Sequence, residues 1–160
     1  MQPVNHSDAE LLFSLIIEMA TYENDLHEVQ TTIRQIEQTI CNESFARAFI
    51  GYYDGQPVSY VIYFYTYSSY LGKPSIYIED VYVKPKFRML GIGKVIMSFM
   101  AALAIEKDCG RLDWTCLDWN KNALEFYEHM GAKHLKDRYY FRADKETLSE
   151  MAAITDDMNE

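Results

Sequence analysis

The stretch Val81-Tyr82-Val83-Lys84-Pro85-Lys86-Phe87-Arg88-Met89-Leu90-Gly91-Ile92-Gly93-Lys94 decides how the rest of the chain is read. Val81-x-Val83 reads as the end of a strand, and Pro85, with no amide hydrogen to give a ladder, stops it. A short loop carrying Arg88-x-x-Gly91-x-Gly93 follows. From Gly91 to Lys107 the residues Ile92, Val95, Ile96, Phe99 and Leu103 recur at helical spacing, which predicts an amphipathic helix. Glycines in such a loop remove Cβ atoms, so backbone N–H groups can approach a ligand closely. The first helical turn leaves its N–H groups without intrahelical partners, and with the helix dipole they suit a phosphate or pyrophosphate.

Three kinds of anion site share that logic. A P-loop needs GxxxxGK[ST], and Gly93-Lys94-Val95 lacks both the earlier glycine and the hydroxyl residue. A dinucleotide fingerprint needs a third glycine where Ile96 stands. The remaining pattern is RxxGxG, the loop of acyl-coenzyme A binders. By itself it is a weak signal; its place between a strand end and a helix, in a basic segment, strengthens it. Residues 86–112 carry two acids and five bases (Lys86, Arg88, Lys94, Lys107, Arg111) inside a chain of formal net charge −9. That arrangement accommodates an anionic ligand at the basic segment and a cationic one elsewhere.

Outward from the loop, Asp8–Tyr22 is predicted as a helix, with Ser7 as its N-cap, Glu10 completing a capping box, and Leu11, Leu12, Leu15, Ile16 and Met19 as its apolar stripe. A second helix runs from Thr32 to Cys41. Phe45–Tyr53 and Val58–Tyr67 read as strands joined by the hairpin signal Asp54-Gly55, and Ser75–Val83 as a third strand of the same meander. Beyond the central helix, Arg111–Leu117 reads as a strand and Asn120–Met130 as a helix closed by Gly131. Lys133–Lys136 and Tyr139–Arg142 read as short strands, Lys145–Ala153 as a helix, and Asp156–Glu160 as a frayed acidic tail. The sum is one mixed α/β domain over residues 1–160, with paired strands first and strands alternating with helices afterwards. Tyr60–Tyr67 is apolar or aromatic on both faces. It fits a central strand covered on both sides, and some of its rings also suit an amine pocket through cation–π contacts.

Composition narrows the function. The negative charge argues against nucleic acid as a partner. No apolar run is long enough to span a bilayer, and the opening residues lack the pattern of a signal peptide, so no membrane and a cytoplasmic location are expected. Cys41, Cys109 and Cys116 are too scattered for a disulfide framework or a zinc site, and no metal is expected.

With these residues in view, the chain resembles the GNAT superfamily of N-acetyltransferases, most of all the diamine (spermidine/spermine) acetyltransferases. The likeness includes Tyr22-Glu23, Tyr63 to Tyr67 followed by Leu71-Gly72-Lys73, and Tyr77-Ile78-Glu79-Asp80. It continues with Arg88 to Gly93, Trp119-Asn120, and Phe126-Tyr127 followed by Gly131-Ala132. The resemblance implies a mostly antiparallel twisted central sheet flanked by helices, with the acyl-coenzyme A loop between the fourth strand and the next helix. It implies acetyl-coenzyme A as acetyl donor, a small-molecule amine as acceptor, and a homodimer. Backbone groups of Val81, Tyr82 and Val83 would pair with the pantetheine arm. The amides of Met89, Leu90, Gly91, Ile92, Gly93 and Lys94, next to Arg88, would hold the pyrophosphate. Asn120, Lys121, Asn122 and Ala123 would contact the same molecule. Tyr22, Glu23 and Glu79 would face the amine, with Asp113, Trp114 and Thr115 close to it. Three departures stand out: Met89 replaces a glycine common in the family, Tyr70 stands where a tryptophan is usual, and the first strand is cut to Met1–Asn5.

The same resemblance assigns the chemistry. An alkyl ammonium, with a pKa of about 10, must lose a proton before it attacks. Glu79 is the candidate to draw that proton through water, the Val81 N–H to stabilise the oxyanion, and Tyr127 to protonate the departing thiolate. Glu23, Asp25 and Glu28 would draw in the far cationic end of a polyamine. Two other readings stay open: an amino-acid-type amine such as lysine or thialysine, or another small amine such as an aminoglycoside-like one, as acceptor, and an acyl-coenzyme A-binding module without turnover.

Overall fold

A computed structural model describes residues 1–42 and 45–154. The chain divides into two compact units, Met1–Trp119 and Asn120–Glu160.

The larger unit is built on a sheet of five strands in sequence order. They are β1 (Gln2–Pro3), β2 (Arg47–Tyr53), β3 (Gln56–Ser68), β4 (Lys73–Val83) and β5 (Leu112–Trp114). β1 to β4 pair antiparallel, and β5 lies parallel to β4. Asp54 and Gly55, both at positive φ (48° and 72°), make the predicted two-residue turn between β2 and β3. The expected shortness of the first strand is observed in the two residues of β1.

Helix α1 (Ala9–Glu23) and the helix α2 (Ile33–Ile36), prolonged as a π turn over Glu37–Cys41, cover one face of the sheet. Leu12, Leu15 and Ile36 pack there against Ala48, Ile50, Tyr60, Ile62 and Tyr82. Helix α3 (Ile92–Glu106) covers the other face, burying Ile96, Met97, Met100 and Ala104. There the Phe99 ring meets Phe49 edge-on at 4.8 Å, and Phe49 stacks on Tyr63 at 5.8 Å. β3 is therefore the strand covered on both sides, with every residue from Val58 to Tyr63 buried. Its far end opens out: Phe64, Tyr65 and Thr66 are half-buried and Tyr67 is exposed.

Several boundaries depart from the reading of the sequence. Asn5, not Ser7, caps the first helical segment. Its Oδ1 accepts from the Ser7 amide at 2.9 Å, and the Asp8 carboxylate accepts from the Asn5 amide at 3.0 Å. The capping box is thus Asn5/Asp8, it opens a 3₁₀ turn over His6–Asp8, and α1 begins at Ala9. β5 is shorter than Arg111–Leu117, because its pairing with β4 ends at Ile78↔Trp114, where a bulge takes β4 out of step.

The smaller unit contains α4 (Lys121–His129) and α5 (Lys145–Ala153). Asn120 caps α4 with its side chain on the Ala123 amide, and Asp144 caps α5 on the Thr147 amide. Gly131, at φ 87°, closes α4 as expected. Lys133–Lys136 and Tyr139–Arg142 are not strands. Their alternation fits a strand, but a ladder needs a partner, and no described strand pairs with either. The tail Asp156–Glu160 lies outside the described residues.

Candidate active site

The bulge in β4 organises the site. Ile62 faces Asp80 and Tyr63 faces Ile78, which leaves Glu79 as the extra residue of β4. An unbroken β4 would put Ile78 and Asp80 on one face, because side chains alternate along a strand. One inserted residue flips everything beyond it. Ile78 therefore stays on the α3 face opposite Tyr63, while Asp80 and Tyr82 move to the α1 face opposite Ile62 and Tyr60.

That shift places a half-buried carboxyl beside the Tyr60 hydroxyl and near two other acids. Burial first, then the charges of Glu79 and Glu23, push the Asp80 carboxyl up to about 7, against the pull of a hydrogen bond with Tyr60. The same surroundings push the Tyr60 hydroxyl up, burial leading and the Asp80 and Glu23 charges following. This hydroxyl also reaches Met19 Sδ at 3.2 Å. Glu23 is raised as well, by burial and then by Asp25. Glu23, Glu79 and Asp80 thus form one acidic group contributed by the end of α1 and the bulge of β4. α1 stops just past Glu23 because Asn24 adopts a left-handed conformation, φ 63°. Tyr22 joins them from the last turn of α1, 6.4 Å from the Trp119 ring.

The second half of the site is an open edge. The bond from the Lys84 N–H to the Val58 C=O (2.9 Å) fixes the alternation of β4, so Lys84, Tyr82 and Asp80 point their backbone groups at β3. Val81 and Val83 point theirs the other way, where β5 has already ended and no described strand lies beside them. Arg88 Nε occupies the Val83 carbonyl at 3.0 Å. This leaves both backbone groups of Val81 and the N–H of Val83 turned to that edge.

Past Val83 a 3₁₀ turn over Pro85–Phe87 leads to the glycine loop. Met89 (φ 67°) and Gly91 (φ 78°) are both left-handed, and Gly91 is the N-cap of α3. The helical ladder starts with the Val95 N–H on the Gly91 carbonyl at 3.1 Å. Among the described residues no acceptor is found for the amides of Met89, Gly91, Ile92, Gly93 and Lys94, while the Leu90 amide closes a turn over Arg88 and Met89. A run of unpaired amides at a helix start, beside an open strand edge and within the basic segment, fits the pyrophosphate and amide-bearing arm of coenzyme A.

Other expected residues are placed less simply. Asp113 pairs with Arg111 at 2.7 Å, so its carboxylate already has a cation. Thr115 Oγ1 lies 3.5 Å from the Tyr77 hydroxyl, and Trp114 pairs with Ile78 in the sheet. In the smaller unit Tyr127 is half-buried on α4, its ring 5.3 Å from Phe126. There the Ala123 amide is engaged by the Asn120 side chain at 3.2 Å. Asp80 is the residue that sequence reasoning misses. The adjacent acids Glu79-Asp80 are its available signal, but only the bulge turns the second of them inward.

A sheet with helices on both faces, opened after a bulge beside an amide-lined loop, is compatible with an acyl-coenzyme A-dependent transferase. The profile of the Acetyltransferase (GNAT) family matches residues 12–132. A thialysine N-epsilon-acetyltransferase of Caenorhabditis elegans is 31% identical over 152 residues, 93% of this chain and 94% of that protein. The spermidine/spermine N(1)-acetyltransferase-like protein 1 of Homo sapiens is 32% identical over 98 residues, 59% of this chain and 14% of that protein. An integron cassette protein from the mobile metagenome of V. cholerae shares the fold with a TM-score of 0.80 at 22% identity, covering 94% of this chain and 95% of that one. The chain belongs to the GNAT acetyltransferase family. It is an acetyl-coenzyme A-dependent N-acetyltransferase of amines. No helix among its described residues is long and apolar enough to cross a membrane.

Proposed function

We propose that the acceptor is the terminal primary amine of a small molecule carrying a second cationic group, and that it attacks directly with both substrates bound. The observation that supports this most is the group Glu23, Glu79 and Asp80, three carboxyls gathered between α1 and the β4 bulge. Bringing them together is unfavourable in the absence of a cation, and a dicationic ligand relieves it.

In this reading the backbone groups of Val81 and Val83, with Tyr82 between them, take the pantetheine arm as an added strand. The amides from Met89 to Lys94 take the pyrophosphate, and the family resemblance assigns Asn120, Lys121, Asn122 and Ala123 to the same molecule. Acetyl-coenzyme A supplies a thioester carbonyl as electrophile and a thiolate as leaving group. Glu79, exposed at the bulge, receives the ammonium proton through water. The Val81 N–H, turned to the open edge, donates to the carbonyl oxygen as charge builds there. Tyr127 returns a proton to the leaving sulfur. Asp80 ionises fully once the second ammonium binds beside it, so substrate binding releases a proton. Tyr22 lines the acceptor side, and the segment from Asp113 through Trp114 to Thr115 borders it.

A diamino acid is the second reading of the acceptor, favoured by the thialysine acetyltransferase that matches 93% of the chain. Free-thiol release from acetyl-coenzyme A, with putrescine, spermidine, spermine, lysine and thialysine as acceptors, separates the two. Turnover of the polyamines above the amino acids is expected, and the reverse order transfers the assignment to the diamino acids. Thiol release with neither group refutes the dicationic acceptor. The proposal includes a homodimer in the cytoplasm, checked by sedimentation velocity and by fractionation.

A further inference from the structure

Arg88 opens the glycine loop, yet its side chain leaves that loop. Its Nε donates to the Val83 carbonyl at 3.0 Å, and its guanidinium carbon lies 4.0 Å from the centre of the Tyr22 ring. The Tyr82 ring stands 6.0 Å away on the same carbon. A planar guanidinium over an aromatic face is a favourable and geometrically demanding contact, which lysine does not reproduce. Tyr22 belongs to the last turn of α1, immediately before Glu23. One turn earlier Glu18 ties the same helix to β4, accepting from the Tyr82 hydroxyl at 3.4 Å and pairing with Lys84 Nζ at 3.1 Å. The end of α1 is thus held to β4 at two levels, and Arg88 is the contact of this set that comes from the loop.

We infer that Arg88 is a positioning residue that couples the two substrate sites. A pyrophosphate gripped by the amides from Met89 onward orders the backbone next to Arg88. Its guanidinium, fixed by the Val83 carbonyl and stacked on Tyr22, then orders the turn that carries Glu23. Once one ligand has met the entropic cost of ordering this path, the second binds with less to lose, so donor and acceptor reinforce each other. The inference rests on the function proposed above, since it takes the loop as the donor site and the Glu23 end of α1 as the acceptor site.

Hydrogen exchange of the peptide 17–25 in the intact protein, with and without saturating coenzyme A, tests it without needing the true acceptor. Coenzyme A is expected to slow this peptide several-fold in the wild type and in Tyr22→Phe, which keeps the ring. In Tyr22→Leu the slowing disappears although coenzyme A, followed by calorimetry, still binds to saturation. In parallel, coenzyme A should tighten whichever of thialysine or spermidine binds by a factor within the usual range of about 5–150-fold, and Tyr22→Leu should remove that factor. Unaltered exchange in the wild type at saturation, or equal slowing in Tyr22→Leu, overturns the coupling and leaves the function intact. Failure to bind coenzyme A at all refutes the function and this inference together.

Discussion

At the scale of single residues, Asp80 sets a pH dependence that runs opposite to that of an ordinary surface carboxylate. Its folded pKa of about 7 lies above the usual 3.8, so between those values the folded state binds more protons than the unfolded one. Stability is fully present below the lower value and is lost as pH rises toward the upper, by roughly 1.4 kcal/mol for each pH step of one between them. Asp80→Asn removes the ionisation. Chemical denaturation should find the variant more stable than the wild type at pH 8, with the gain shrinking steadily toward pH 4; a constant gap at all pH values refutes the buried-charge account. Met89 makes a second case. A fully exposed methionine at φ 67° holds a conformation that costs an L-residue about 1–2 kcal/mol. Met89→Gly should raise stability by a few tenths to about 1 kcal/mol after glycine's own entropy is counted, read as a higher denaturation midpoint. Tyr127 carries a chemical expectation instead: Tyr127→Phe should lower kcat by about 10²–10⁴ and leave coenzyme A affinity as it was, in calorimetry and steady-state rates.

At the scale of elements, the question is why β4 keeps a bulge in the middle of a well-packed sheet. Deleting Glu79 joins Ile78 directly to Asp80, and ordinary alternation then puts Ile78 opposite Tyr63 and Asp80 opposite Ile62, the partners they already have. The deletion should therefore fold with a melting temperature close to the wild type. It should also remove the step that ends the β4–β5 pairing, narrow the open edge at Val81 and Val83, and weaken coenzyme A at least tenfold, about 1.4 kcal/mol. Glu79→Gln keeps the bulge, so it should bind coenzyme A normally and lose turnover alone. Equal coenzyme A affinity in both variants would show that the opening does not depend on the bulge. The same element marks the limit of what the sequence reveals. The hairpin at Asp54-Gly55, the buried β3 and the glycine loop at the start of α3 carry local chemistry that identifies them: left-handed turn residues, apolar side chains on both faces, amides without acceptors. A register shift of one residue has no composition of its own, so Glu79 was legible as an acid beside the loop and Asp80's inward turn was not. Lys133–Lys136 and Tyr139–Arg142 failed for the complementary reason: alternation describes one strand, and a ladder requires two.

At the scale of the whole molecule, charge is segregated in a way that suits the two substrates of opposite sign proposed above. The chain carries −9 overall, yet residues 86–112, which include the glycine loop and all of α3, hold five bases against two acids. The acidic group at Glu23, Glu79 and Asp80 lies outside that segment. A dicationic acceptor is drawn by the net field as well as by the local one, while an anionic donor meets local attraction against global repulsion. Acceptor encounter should therefore respond strongly to ionic strength. The screening length falls from about 30 Å at 0.01 M to about 10 Å at 0.1 M, and steering of this kind raises association rates by about 10–10³. With the donor saturating, kcat/KM for spermidine should fall at least several-fold over that range, and kcat/KM for a monoamine of similar reach should fall much less, because each ammonium contributes separately to the attraction. The comparison is made by initial rates of thiol release at matched pH. If the monoamine and the polyamine lose the same fraction, the second cation is not felt by the enzyme's field, and the acidic group between α1 and β4 serves only the reacting nitrogen.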